Sequence, residues 1–287
     1  MSNTYCNLCP NACNVDRQNV VGFCGSSDKI SIAKYYLHDF EEPLVSGKNG
    51  SGTVFFCGCS LKCVFCQNYE VSRNLRGKQI TTLELVEIFK FLEDNGAHNI
   101  NLVNPTHYSN QIVDALNIYR PSVPIVYNTH GFESVDVLKQ IDDYIDVYLP
   151  DLKFCAPNVS KRYCGKSNYF NVAKDAISFM STKPLKIDEN GLISSGTIVR
   201  HLCLPQNVSD SKKVLDFLVN FKDKIYLSVM SQYTPFGKID SFPELQRKLT
   251  KREYDTVIDY AINLGFTNMY YQELESSNEK FIPKWDF

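Results

Sequence analysis

Residues 51–72 read "SGTVFFCGCSLKCVFCQNYEVS". The run "TVFF" reads as a buried strand, because its side chains leave neither face of a sheet polar. Four cysteines follow at once within ten residues: Cys57, Cys59, Cys63 and Cys66. Disulfides, zinc sites and iron–sulfur clusters all use cysteine, each with its own spacing. Cys59, Cys63 and Cys66 are spaced CxxxCxxC, with Phe65 just before the last. Three thiolates on one loop after a strand can wrap one face of a cubane cluster and leave its fourth iron without a protein ligand. Structural zinc usually takes four ligands in two pairs. The single Gly58 between Cys57 and Cys59 is a poor fit to such a pair. A loop of unligated thiols and a zinc knuckle that adds Cys57 compete with the open-iron cluster, which the spacing favours. Cys57 itself reads as a small packed thiol.

The surrounding chain narrows the setting. With 287 residues, 44% of them hydrophobic and 13% aromatic, it can bury one large core or two modest ones. A net charge of −2 carries no basic excess, so nucleic acid is not the expected partner. No apolar stretch approaches the roughly 18 residues of a membrane span. The start "MSNTYCNLCP" lacks a basic region before an apolar run, so the expected location is the cytoplasm. Eleven cysteines in a reducing compartment read more readily as metal ligands than as disulfides.

Downstream, apolar runs alternate with helical patterns. "TTLELVEIFKFLEDNGA" opens with Thr81 and Glu84 at capping-box spacing and carries Leu85, Ile88, Phe89 and Leu92 on one face. Gly96 supplies the stop. Strands are expected at "TVFFCG", "NINLVNP", "PIVYNTH", "DVYLPDLKF", "TIVRHLCL", "KIYLSVM" and "TNMYYQE", with helices over 110–119, 134–141, 160–181, 209–221 and 251–264. This alternation predicts an α/β fold on a parallel sheet, as a barrel or a doubly wound sheet. Residues 1–50 read as a separate cysteine-rich segment with one helix over 31–40, ahead of a barrel over 51–287. Within that segment Cys6, Cys9, Cys13 and Cys24 could close a tetrahedral site for zinc or a fully ligated iron–sulfur cluster, and the spacing does not choose between them.

Polar residues at the strand ends are the other signal. In "NLVNPTHY", Pro105 interrupts pairing and frees nearby carbonyls to face a ligand. In "LPDLKF", Asp151 and Lys153 are two apart and so point to one face. A buried charged pair is costly unless well bonded, which suits a cofactor clamp. Arg200 lies in the apolar strand "IVRHLCLP", where it needs an anionic partner or a wet cavity. His201 then faces the other way, into structure. The acidic pair Glu41 and Glu42 of "HDFEEP" reads as either substrate-facing or solvated, the solvated reading being favoured.

The cysteine loop resembles the signature of the radical S-adenosylmethionine superfamily. "CNLCPNACNVDR", "LHDFEEPLVSG", "YNTHGFES" and "YLPDLKF" further resemble the uncharacterised relatives of pyruvate formate-lyase activating enzyme. The resemblance covers almost the whole chain. It implies a partial (β/α)₆ barrel with the cluster loop after its first strand and the chemistry at the C-terminal strand ends. It implies a 4Fe-4S cluster on Cys59, Cys63 and Cys66, with S-adenosylmethionine chelated at the unique iron. Phe65 counts among the cofactor contacts. Asn104, Pro105 and Thr106 stand where the family carries Gly-Gly-Glu, which binds the methionyl ammonium, and His107 is an alternative contact. Asn128 and Thr129 stand at an Asp-Thr pair. Lys153 would meet the cofactor carboxylate and Asp151 the ribose or ammonium. Arg200 aligns with an arginine near the cofactor, and Gln232 stands where a histidine is frequent and could bond a ribose hydroxyl. The missing Gly-Gly-Glu and histidine are departures from the family pattern.

The implied function is reductive cleavage of S-adenosylmethionine, followed by hydrogen abstraction from a protein or peptide, as the activating enzymes do on a backbone glycine. A small-molecule substrate is the near variant. A non-catalytic iron–sulfur or zinc protein for electron transfer is the alternative class, but an electron carrier needs neither Lys153 nor Arg200. An external electron donor of the flavodoxin or ferredoxin type is the expected partner.

Overall fold

The computed structural model describes residues 5–237, 239–272 and 285. Ten strands form one path with a side branch: β1 (Ile30–His38), β2 (Ser51–Phe56), β3 (Lys78–Ile80), β4 (Ile100–Val103), β5 (Ile125–Thr129), β6 (Val147–Pro150), β7 (Lys186–Ile187), β8 (Ile193–Leu202), β9 (Tyr226–Met230) and β10 (Met269–Tyr271). Their order is β10-β9-β8-β6-β5-β4-β2-β1-β3, with β7 paired to β8. Every neighbouring pair from β2 to β10 along that path is parallel. These seven strands are the seven apolar runs of the sequence. The order does not return on itself, so the curved sheet is a barrel that stays open.

Side-chain alternation decides what each face holds. Val54, Phe56, Leu102, Tyr127 and Tyr148 point outward against the helices Thr82–Asp94 and Ser109–Ile118. Val126, Val147, Leu149 and Ile198 point inward at the bottom of the barrel, where Leu44 and Val45 of the short helix Pro43–Ser46 plug it. The same inward phase continues up the strands to Asn128, Asp151 and Arg200. The barrel interior therefore changes from aliphatic to charged toward the C-terminal strand ends. The helices Pro157–Cys164, Tyr169–Met180, Val208–Leu218 and Lys251–Asn263 cover the other outer stretch. The Thr81–Glu84 capping box forms in full, and Gly96 turns the chain at φ 82°.

Two local expectations are corrected. Residues 31–40 are not a helix: β1 occupies 30–38 and pairs antiparallel with both β2 and β3. Ile30 and Ile32 alternate onto the face covered by the outer helices, and pairing with β2 outweighs the helical spacing. The stretch 160–181 is not one helix but two. Gly165, left-handed at φ 76°, ends the first, and Tyr169 begins the second. Among the described residues no helix is long and apolar enough to cross a membrane.

Candidate active site

The cysteine loop leaves β2 through Gly58, at φ 90°. A Cβ there would sit 2.2 Å from Ser26 Oγ and 2.9 Å from the Cys24 carbonyl, so only glycine lets the N-terminal segment close on the loop. The loop is fastened at several points. Gly58 N–H donates to Val71 O at 3.0 Å, Cys59 N–H to Cys24 O at 3.3 Å and Val64 N–H to Tyr163 O at 2.9 Å. Ser60 Oγ meets His130 Nε2 at 2.7 Å. Phe65 is buried edge-on against Phe154, Tyr163 and Tyr233.

Thus anchored, Cys59, Cys63 and Cys66 line one cavity of about 270 Å³. All three are free thiols. Burial pushes the Cys59 thiol up to about 12 and the Cys63 thiol well above its usual value. A bound cation reverses that preference, because a coordinating thiol is deprotonated outright. Cys57 turns away: its Sγ donates to Arg76 O at 3.3 Å, and it does not line the cavity.

The opposite wall carries the charged set. Lys153 Nζ donates to Asp151 Oδ2 at 2.5 Å, and Arg200 Nε to Asp151 Oδ1 at 2.8 Å. Arg200 also donates to Asn128 Oδ1 at 2.6 Å and meets Glu41 Oε1 at 3.3 Å. Burial works against the Asp151 carboxylate, but Arg200 and Lys153 outweigh it and hold the group below its ordinary value. Burial also works against the Lys153 ammonium, which the paired Asp151 carboxylate more than offsets, so it stays charged. Asn104, Asn128, Thr129, Phe65 and Gln232 border the same cavity. Asn104 sits left-handed at φ 58° and donates its amide to Gly58 O. Its Oδ1 is buried with no partner among the described residues.

Pro105 and Thr106 do not line the cavity. Thr106 Oγ1 instead donates to Glu133 Oε1 at 2.6 Å, as does Thr129 Oγ1. Burial raises the Glu133 carboxyl to about 7. His107 also turns inward, donating from Nε2 to Cys57 O at 2.6 Å. Burial lowers it to about 4, so it is neutral and supports the loop backbone. His201 faces structure as expected, between Leu152 O and Ser211 Oγ.

Glu41 and Glu42 are not solvated, and the expectation is corrected. Glu41 accepts from Asn101 and Asn128 at 2.8 and 2.6 Å, and pairs with Arg200 across the barrel. Glu42 is buried, and burial pushes it up to about 7. The antiparallel strand β1 delivers both, which no local pattern announces. His130 was also missed. Its Nδ1 accepts from Phe132 N–H at 3.1 Å, which leaves Nε2–H for Ser60 inside the cysteine loop. Its place after "YNT" at a strand end was the available signal.

An open parallel barrel that gathers three thiols and a charged set at its C-terminal rim defines a class: a protein built to hold a thiolate-bound metal group beside a polar ligand. The model of the Radical SAM superfamily matches residues 53–218, and the chain belongs to that superfamily. An uncharacterized protein of Methanocaldococcus jannaschii is 30% identical over 266 residues, covering 89% of this chain and 74% of that protein. Streptococcus suis SuiB bound to S-adenosylmethionine has a similar fold, with TM-score 0.52, 15% identity, and 77% of this chain against 50% of SuiB covered. The chain thus spans about half of SuiB's length. Methylornithine synthase (PylB) matches with TM-score 0.50, 15% identity, and coverage of 74% and 68%. Membership implies a four-iron cluster and S-adenosylmethionine as cofactors, supplied with electrons from outside. The residues present fit both groups. Three unligated thiols face one cavity, and the orphaned Asn104 Oδ1 offers an acceptor beside them.

Proposed function

We propose that this cavity is the catalytic site of a radical S-adenosylmethionine enzyme that abstracts hydrogen from a protein or peptide substrate. The observation that carries the reading is the meeting, in one cavity, of the CxxxCxxC thiols with Asp151, Lys153 and Arg200. When bound, the cluster and S-adenosylmethionine supply one-electron cleavage to a 5′-deoxyadenosyl radical. Cys59, Cys63 and Cys66 hold three irons of the cluster. Lys153 and Arg200 present cations to the methionyl carboxylate. Asp151 and Asn104 Oδ1 would accept from the ammonium or a ribose hydroxyl, and Gln232, which borders the same cavity, could bond the ribose. Phe65, Leu61 and Tyr233 keep water from the thiol side. The motif likeness to glycyl-radical activating enzymes supports the protein or peptide substrate. It also supports a flavodoxin- or ferredoxin-type donor and a cytoplasmic setting.

Lys153→Met tests the clamp. A charge-assisted bond contributes roughly 1.5–3 kcal/mol, so S-adenosylmethionine affinity should fall by about one to two orders of magnitude. Arg200 still pairs with Asp151 in the variant, so thermal stability should change little. Near-normal affinity with a large loss of stability would make the pair a structural tie and nothing more.

A further inference from the structure

We infer that Cys6, Cys9, Cys13 and Cys24 hold a second, fully ligated four-iron cluster, packed directly against the loop of Cys59, Cys63 and Cys66. The first observation is how little apolar burial orders this segment, whose main polar tie is the buried Arg17, donating to the Ser26, Ser27 and His107 carbonyls. Residues 5–29 contain no helix or strand, the first element being β1 at Ile30. Tyr5, Val20, Val21 and Phe23 are exposed, and within the segment Cys9 alone joins the buried apolar set. Burial that small cannot offset the entropy of fixing some two dozen residues, at roughly 1–2 kcal/mol each. A metal group bound by the folded form can supply the difference.

The backbone is shaped to gather the thiols. Cys6 N–H donates to Val15 O at 2.9 Å, Asn14 N–H returns to Cys6 O at 3.0 Å, and Ala12 N–H closes on Cys9 O at 2.9 Å. Ala12 and Asn14 adopt left-handed φ values of 41° and 51° to make these turns. Such a conformation costs roughly 1–2 kcal/mol for an alanine. At Gly22, a Cβ would lie 3.6 Å from Cys24 Sγ and 3.7 Å from Cys13 Sγ, so both thiols border this glycine. Phe23 N–H donates to Cys13 Sγ at 3.3 Å and Asn11 Nδ2 reaches Cys9 Sγ at 3.6 Å. Hydrogen bonds of this kind to ligand sulfurs tune iron–sulfur clusters. Lys62 and Lys166 lie over the Phe23 ring at 4.1 and 4.2 Å, two cations beside a site whose thiolates are anionic.

Spacing separates iron–sulfur from zinc. A tetrahedral zinc with Zn–S bonds near 2.3 Å would hold its sulfurs about 3.8 Å apart. Among the described residues, no three Cys, His, Asp or Glu side chains converge on a single ion. The thiols of Cys59, Cys63 and Cys66 do not either, although that loop has cubane spacing. A cubane offers a separate iron to each thiolate, so its ligands stand further apart than those of one ion. Like that loop, the N-terminal set brings no three side chains onto one ion among the described residues. All four thiols are free, so the segment is not closed by disulfides.

The site abuts the catalytic loop. Cys24 O accepts from Cys59 N–H, Ser26 Oγ donates to Cys57 O at 3.2 Å, and Asn11 Nδ2 donates to Ser60 O at 2.8 Å.

The test is metal and sulfide analysis of the full chain after anaerobic reconstitution with iron and sulfide and removal of loose metal. Wild type should carry about eight irons and eight sulfides per chain, and negligible zinc. The Cys59→Ser/Cys63→Ser/Cys66→Ser variant should keep about four of each, and so should Cys9→Ser/Cys13→Ser. About one zinc without sulfide in the triple variant, or no metal in it, overturns the inference. Wild type with only about four irons overturns it too, and needs no variant to fold. An unchanged iron content in the triple variant would instead fault the catalytic assignment.

Discussion

At the ends of β5, β6 and β8, Asn128, Asp151 and Arg200 reach one another from strands held by parallel ladders. Residues 5–29 have no ladder, one buried apolar side chain and a series of backbone turns. On the readings proposed above, both regions would present groups to a cofactor, but by different means. The rim is preorganised because each side chain is fixed by a strand that the core already holds. The N-terminal segment has thiols in place of an apolar core and is tied to the fold by Arg17, so on the inference above its order would depend in part on what the thiols bind. A substitution at Arg200 should therefore act on stability and ligand together, one at Lys153 mainly on the ligand, and one in the N-terminal segment would act on metal content.

Arg200→Met presses hardest on the preorganised region. It removes the one cation that joins Asp151, Asn128 and Glu41, leaving the Glu41 carboxylate inside the barrel with only amide partners. Breaking a buried pair by removing one partner costs roughly 3–5 kcal/mol, so urea unfolding should show a loss of about 3 kcal/mol. Arg200→Lys should not recover it, since lysine lacks the planar fork that spans several acceptors. A fully stable Arg200→Met protein would mean that the rim is not held by this network.

Glu133→Gln has a smaller effect, visible in pH. Burial raises Glu133 from an ordinary 4.5 to about 7, so the folded state prefers its protonated form. That preference contributes fully below about 4.5 and is lost as pH rises through about 7. Melting temperature should therefore decline over this window, and Glu133→Gln should flatten part of the decline. Glu42, also raised to about 7, keeps the remainder. An unchanged slope would deny Glu133 the role of tying Thr106 to Thr129. The smallest change belongs to Cys57→Ala. Its thiol packs outside the cavity, so the cost should stay near 1 kcal/mol with iron content intact. Loss of iron in that variant would promote Cys57 to a ligand.

The sequence made the parallel sheet legible because strands buried on both faces leave continuous apolar runs, and all seven runs became parallel strands. It made Asp151, Lys153 and Arg200 legible because charge is anomalous in such runs. Pairings between distant segments were not legible. The strand β1 carries a helix-compatible pattern, and only its contact with β2 decides it. Glu41 looked like a solvated acid until that strand brought it to Arg200. Thr106 looked like a ligand contact because the buried carboxylate that takes its hydroxyl, Glu133, lies beyond the strand-end motifs; Thr129 bonds the same carboxylate but still borders the cavity. The break at Gly165 was written in the sequence as a glycine inside a helical pattern.

The central claim is that Cys59, Cys63 and Cys66, facing Lys153 and Arg200, run reductive cleavage of S-adenosylmethionine. The most direct measurement is 5′-deoxyadenosine formed under dithionite by the anaerobically reconstituted wild type and by Cys63→Ala. Wild type should give steady product and Cys63→Ala none above background. Product from Cys63→Ala at a rate comparable to wild type would contradict the claim.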